Sequence, residues 1–148
     1  MKKITEEVTQ KKLVTKYMAN DRSVFNNMDD CARYEESFEL TGRYNNLVAG
    51  SINECDMIGC GGDDCAVDIV RMATEEDADV VKAMWTSNNI SGKSDREFAS
   101  IDRALKENDI LFISRGCCDD EFYIYGSAAE IIEHFANYRK IEKEKDKN

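Results

Sequence analysis

The stretch from Asp109 to Tyr138, DILFISRGCCDDEFYIYGSAAEIIEHFANY, limits the fold more than any other part of the chain. Ile110, Leu111, Phe112 and Ile113 form an apolar run, Gly116 to Asp120 is a polar turn, and Phe122 to Tyr125 is a second run rich in strand formers, which together predict a β-hairpin. Gly126 and Ser127 end the second strand. Ser127 and Glu130 then have the spacing of a capping box, in which each side chain satisfies an orphan backbone N–H, so a helix is predicted to start there. Ala128, Ile131, Ile132, Phe135 and Tyr138 recur at helical spacing, giving that helix one apolar face to lay across the hairpin.

The same order occurs near the start of the chain. A strand from Leu13 to Ala19, a turn at Asn20-Asp21 and a return strand through Val24 and Phe25 precede Asn26 and Asn27, either of which can cap a helix. The apolar stripe of that helix runs through Met28, Cys31, Tyr34 and Phe38, and the pattern extends past Gly42 toward Leu47, ending near Gly50. Between the two ββα units, Ile52 to Cys65 is glycine-rich, acidic and without periodicity, and reads as a loop with room for a short strand. Ala66 to Met72 alternates as a strand, with Val67 and Ile69 set against Asp68 and Val70. Thr74 caps a helix, with Asp77 at the capping-box position and Ala78, Val81 and Trp85 on its inner stripe. Ser94 and Glu97 open a further helix that turns Phe98, Ile101, Ala104 and Leu105 inward and ends near Asn108.

The expected fold is therefore α+β: a single domain over 1–139, made of two ββα units and a central strand-helix-helix segment, with about five short strands in mainly antiparallel sheet and about four helices. Its predicted core is Leu13, Tyr17, Phe25, Phe38, Ile69, Val81, Trp85, Phe98, Ile101, Leu105, Phe112, Ile113, Tyr123, Tyr125, Ile131 and Phe135. Residues 140–148 are mostly charged and are expected to form a frayed helix end or a disordered tail.

Charge and composition narrow the function. Hydrophobic residues make up 42% of the chain, enough for a core, yet no apolar run approaches the roughly 20 residues that span a bilayer. The opening MKKITEEV has glutamates where a secretory signal has its apolar region, so the expectation is a cytoplasmic protein whose six cysteines stay reduced. Thirty acidic against twenty basic residues give a formal charge of −10, which repels nucleic acid and anionic membrane and favours basic partners. An acidic surface also serves plain solubility.

Three cysteines, Cys55, Cys60 and Cys65, are spaced C-x4-C-x4-C and would hold zinc with a fourth ligand from Cys117, Cys118 or His134. That spacing is loose, no C-x2-C knuckle nucleates it, and Asp56, Asp63 and Asp64 disfavour thiolates, so they read as reduced loop or core cysteines and no metal or other cofactor is expected. Adjacent Cys117 and Cys118 form a disulfide only with strain. Cys31 falls on a helix stripe as a small hydrophobe, and His134 sits one position off the inner stripe of the last helix, as a surface histidine. The run Gly59-Cys60-Gly61-Gly62 is followed by aspartates instead of Lys or Arg, which is wrong for a phosphate cradle. No nucleophile–base pair or cofactor fingerprint stands out, and the reading is a protein that is not an enzyme. The acidic groups picked as a partner-binding surface are Asp29, Asp30, Asp63, Asp64, Asp119, Asp120 and Glu121.

Lys12 to Glu36, KLVTKYMANDRSVFNNMDDCARYEE, resembles the opening of a group of small acidic accessory proteins from phages and mobile elements of low-GC Gram-positive bacteria, at Tyr17, Ala19, Asp21, Phe25, Asp29, Asp30, Cys31, Tyr34 and Glu35. The likeness continues loosely in VDIVRMATEEDADVVKAMW and in the aromatic hairpin. The resemblance implies a phage-borne accessory role. With the charge, it leads to the expectation of an anti-CRISPR-like inhibitor, active in the host cytoplasm, that binds a host protein through its basic nucleic-acid-binding surface, with no direct contact to nucleic acid or membrane and with a homodimer allowed. The alternatives are a sponge or sensor for a small nucleotide defence signal, which would need a pocket of Arg33, Arg43, Arg71 or Arg115, and a cysteine-rich zinc-binding module.

Overall fold

Local signals fix most of the elements. The computed structural model describes residues 14–53, 66–89, 95–115 and 122–145, with side chains in the last helix as far as position 137. Among these residues the order is β1 (Tyr17–Met18), β2 (Val24–Phe25), α1 (Met28–Leu47), β3 (Val48–Asn53), β4 (Ala66–Arg71), α2 (Glu75–Asn88), α3 (Asp95–Glu107), β5 (Ile110–Arg115), β6 (Phe122–Ser127) and α4 (Ala128–Lys145). The class is α+β. β1 pairs with β2, and a four-stranded sheet runs β3-β4-β5-β6, every pairing antiparallel. The chain forms two compact units, Met1–Phe38 and Glu39–Asn148.

In the first unit a short hairpin is tied to a helix by polar contacts. Tyr17 pairs with Phe25 and Met18 with Val24. The turn closes through Arg22 N–H donating to the Ala19 carbonyl at 2.9 Å, with Arg22 at φ 75°, a left-handed conformation that costs a non-glycine residue about 1–2 kcal/mol. The Asn27 side chain caps α1 by accepting from the Asp30 N–H at 2.7 Å. One turn higher, the Tyr34 hydroxyl donates to Asp21 at 2.7 Å and the Asn20 N–H donates to Glu35 at 2.9 Å. The Tyr34 ring lies 5.0 Å from Phe25 and 6.3 Å from Phe38. Ala19 and Cys31 are buried here, but Phe38, expected inside, is 63% exposed.

Asp21 holds this turn together as a carboxylate. The Ser23 N–H, followed by the Tyr34 hydroxyl, lowers its pKa below the ordinary value. Its contribution to the hairpin is therefore complete above the usual carboxylate range and is lost as pH falls through the lowered folded value. A carboxyl NMR titration is expected to show Asp21 ionising below free aspartate, with Tyr34 ring shifts following it. Titration at or above the free value would contradict the assignment.

In the second unit the sheet has two unlike faces. The registers Val70↔Leu111, Ile113↔Ile124 and Arg115↔Phe122 put Val70, Leu111, Ile113, Phe122 and Ile124 on one face, where α2 and α3 bring Ala78, Val81, Trp85, Ile101 and Ala104 against them. Tyr44 from α1 and Met72 join the same core, both fully buried. The opposite face carries Ile69, Phe112, Tyr123 and Tyr125, all at least partly exposed. This inverts part of the predicted core: Tyr123 is 43% exposed and Phe135 52%, while Phe122 and Ile124 are inside. β5 is apolar on both faces, so alternation cannot choose between them, and pairing with β6 decides.

β3 is a second departure. The helix was expected to extend past Gly42 toward Leu47 and end near Gly50, with a loop that leaves room for a short strand from Ile52. α1 does reach Leu47, but Val48–Asn53 is already a full strand paired along β4, with a bulge between Val48 and Gly50. At the other end of the chain, α4 continues through Lys145 into the stretch read as a tail.

Both capping boxes that fall on described residues are formed. Asp77 N–H donates to Thr74 Oγ1 at 3.2 Å and Thr74 N–H to Asp77 Oδ2 at 2.8 Å. Glu130 N–H donates to Ser127 Oγ at 3.2 Å and Ser127 N–H to Glu130 Oε2 at 2.8 Å, while Asp109 Oδ2 accepts the Ala129 N–H at 2.9 Å. Just before this cap, Gly126 has φ +135°, and a Cβ there would lie 3.0 Å from Glu130 Oε2. Gly126→Ala should lower stability by about 1–3 kcal/mol through backbone strain and displacement of the cap. An unchanged urea midpoint would count against this geometry.

Candidate partner-binding surface

Of the seven acidic groups picked from sequence, the structure places two. Asp29 and Asp30 begin α1, where carboxylates oppose the positive end of the helix dipole. Asp30 also accepts from the Asn27 amide and pairs with Arg33, so it is partly committed to the helix start, whereas Asp29 is exposed. Asp63, Asp64, Asp119, Asp120 and Glu121 lie outside the described residues, as do Cys55, Cys60, Cys65, Cys117 and Cys118. Among the described residues no group of three or more His, Cys, Asp or Glu is arranged to hold a metal ion, and no helix is long and apolar enough to cross a membrane.

The basic residues are more revealing. In the second unit Arg43 meets Glu76 at 3.0 Å, Lys82 meets Asp102 at 2.6 Å, and Arg103 bridges α3 to α4 by contacting Glu107 at 3.0 Å and Glu133 at 2.7 Å. The Arg103 guanidinium, hydrogen-bonded to Glu133, holds that carboxyl below its ordinary pKa. In the first unit Arg33 is bound to Asp30. Of the four arginines considered for an anion pocket, Arg33, Arg43 and Arg115 thus each face their own carboxylate, and Arg71 lines a cleft of about 320 Å3 that it shares with Asp77. The exposed pairs at Arg33, Arg43, Lys82 and Arg103 add only about 0–1 kcal/mol each to stability, but they cancel cationic charge locally. Exposed carboxylates such as Asp29, Glu36, Glu39, Glu75, Asp79 and Asp95 are then set in a chain of net charge −10 in which Arg33, Arg43, Lys82, Arg103 and Arg115 already face carboxylates.

One polar cluster escaped the sequence reading. Asp68 shares a sheet face with Val70, as the alternation of the strand implied, and is fully buried there despite its charge. Arg115 Nε reaches its Oδ2 at 2.7 Å and Arg115 Nη2 its Oδ1 at 3.2 Å, a two-pronged clasp. The Tyr44 hydroxyl donates to Oδ2 and the Ser51 hydroxyl to Oδ1, each at 3.0 Å. The Arg115 guanidinium also stacks over the Tyr44 ring, 5.5 Å from its centre. Burial, with the Asp68 charge beside it, pushes the Tyr44 hydroxyl well above the ordinary tyrosine pKa, so it remains a proton donor. Both carboxylate oxygens are occupied, and the cluster clamps α1, β3, β4 and β5 together. The available signal was an Asp inside the apolar run AVDIV, with no local partner to name.

No protein-family model, curated protein or solved structure matches this chain.

Proposed function

We propose that this chain is a non-enzymatic inhibitor of the phage accessory kind, which binds a host defence or nucleic-acid-handling protein through its acidic surface, in the manner of anti-CRISPR proteins. The observation that carries the reading is the pairing of Arg33, Arg43, Lys82, Arg103 and Arg115 with carboxylates of the same chain at a formal charge of −10. These five cations are locally cancelled, and the net negative charge of the chain would speed encounter with a basic nucleic-acid cleft and exclude nucleic acid itself. The resemblance of Lys12 to Glu36 to phage accessory proteins supplies the biological setting.

Affinity capture from lysate of a low-GC Gram-positive host tests the reading. A nucleic-acid-binding protein should be retained, and charge reversal at Asp29, at Asp63 with Asp64, or at Asp119 with Asp120 and Glu121 should weaken its capture about tenfold at one or more patches without unfolding the domain. Asp30 is the poorer probe because its replacement also disturbs the Asn27 cap. A nucleotide that co-purifies with no protein partner would replace the inhibitor by a ligand sponge.

A further inference from the structure

A cleft of about 470 Å3 opens in the second unit where α3 and α4 meet β6, within the size range of small-molecule sites. Its apolar lining comes from Tyr125 on the strand and from Ile131 and Phe135 on the helix. Phe135 is 52% exposed, a large aromatic left uncovered, and the Tyr125 ring is held edge-on by Tyr123 at 4.9 Å. Glu130 also lines the cleft, but its two oxygens are taken, Oε2 by the Ser127 N–H at 2.8 Å and Oε1 by the Ser100 hydroxyl at 3.1 Å. Besides the Ser100 and Tyr125 hydroxyls, the cleft is lined by the exposed Arg96 guanidinium and the exposed His134 imidazole, which no catalytic or structural role above has used.

We propose that this cleft binds a small planar anion: an aromatic body seated between Tyr125, Ile131 and Phe135, with one carboxylate, sulfonate or phosphate held by Arg96 and His134. Arg96 suits the task because the guanidinium fork meets such groups with two parallel hydrogen bonds. The aromatic walls favour flat rings, which they can contact face-on or edge-on. Position in sequence hid the site: Arg96 lies on α3 and His134 on α4, 38 positions later, and only the packing of both helices beside β6 brings them to one cleft. The site shares no residue with the acidic groups proposed to meet a partner, and its test with dye probes is separate from the capture of a host protein.

The test uses the full chain and two fluorescent probes of the same shape, the anion 8-anilinonaphthalene-1-sulfonate and the uncharged N-phenyl-1-naphthylamine. The sulfonate is expected to bind saturably with one site per chain. Arg96→Gln should weaken the sulfonate about tenfold while changing the neutral probe by less than about twofold. Arg96→Lys should fall between, Phe135→Ser should weaken both probes, and Arg71→Gln, in the cleft beside Asp77, should affect neither. Circular dichroism of each variant should match the parent, as expected for exposed positions. Sulfonate binding that does not saturate, or that is the same in Arg96→Gln and Phe135→Ser as in the parent, would overturn the proposal.

Discussion

Trp85→Ala is expected to remove about 3–5 kcal/mol of stability, enough to unfold much of the population of a domain of ordinary stability. Trp85 is 7% exposed, stands edge-on to Phe98 with ring centres 5.5 Å apart, and belongs to the core that α2 and α3 build with Val81, Ile101 and the sheet. Truncation removes a large apolar surface from the core and leaves a void that close-packed neighbours fill only in part. Urea unfolding followed by circular dichroism measures the loss. A shift corresponding to less than about 1 kcal/mol would mean that the ring is not part of the packed interior.

Arg115→Met is the second large effect, and its logic is electrostatic. Asp68 has no exposure, whereas the Arg115 side chain is 46% exposed, so the two partners are unequal. Without the guanidinium, a buried carboxylate keeps only the Tyr44 and Ser51 hydroxyls, and an uncompensated buried charge costs about 3–5 kcal/mol. Water reaching the Arg115 side of the pair should hold the loss near about 3 kcal/mol. Removing both charges as Asp68→Asn with Arg115→Met should recover part of it, because no isolated ion then remains inside and the amide oxygen can still accept a buried hydroxyl. A double variant no more stable than the single one would show that the clasp does more than neutralise Asp68.

Both residues bear on what the sequence could reveal. Trp85 was legible because its stripe with Ala78 and Val81 repeats at helical spacing and the Thr74–Asp77 cap fixes where that helix begins, all within a dozen residues. The Ser127–Glu130 cap and the β5–β6 hairpin were legible for the same reason. The choice of face was not: Ile110 to Ile113 is apolar throughout, and only register against β6 and a bulge beside Phe112 decide that Leu111 and Ile113 go in while Tyr123 goes out. β3 stayed hidden because Val48 to Asn53, with Gly50 in its middle, has little strand character until β4 pairs with it. Asp68 stayed hidden because its partners Tyr44, Ser51 and Arg115 are 24, 17 and 47 residues away. The charge of −10 was plain in the composition, but the pairing of the arginines within the chain emerges only from the fold.

Steering by that acidic field is probed most directly by the association rate of the captured host protein as a function of salt. Between 0.05 and 0.5 M salt the screening length shrinks from about 14 Å to about 4 Å, so steering by exposed carboxylates should fade and the association rate constant should fall by at least about tenfold, with dissociation changing far less. A rate constant that stays flat across this range would contradict binding through the acidic surface.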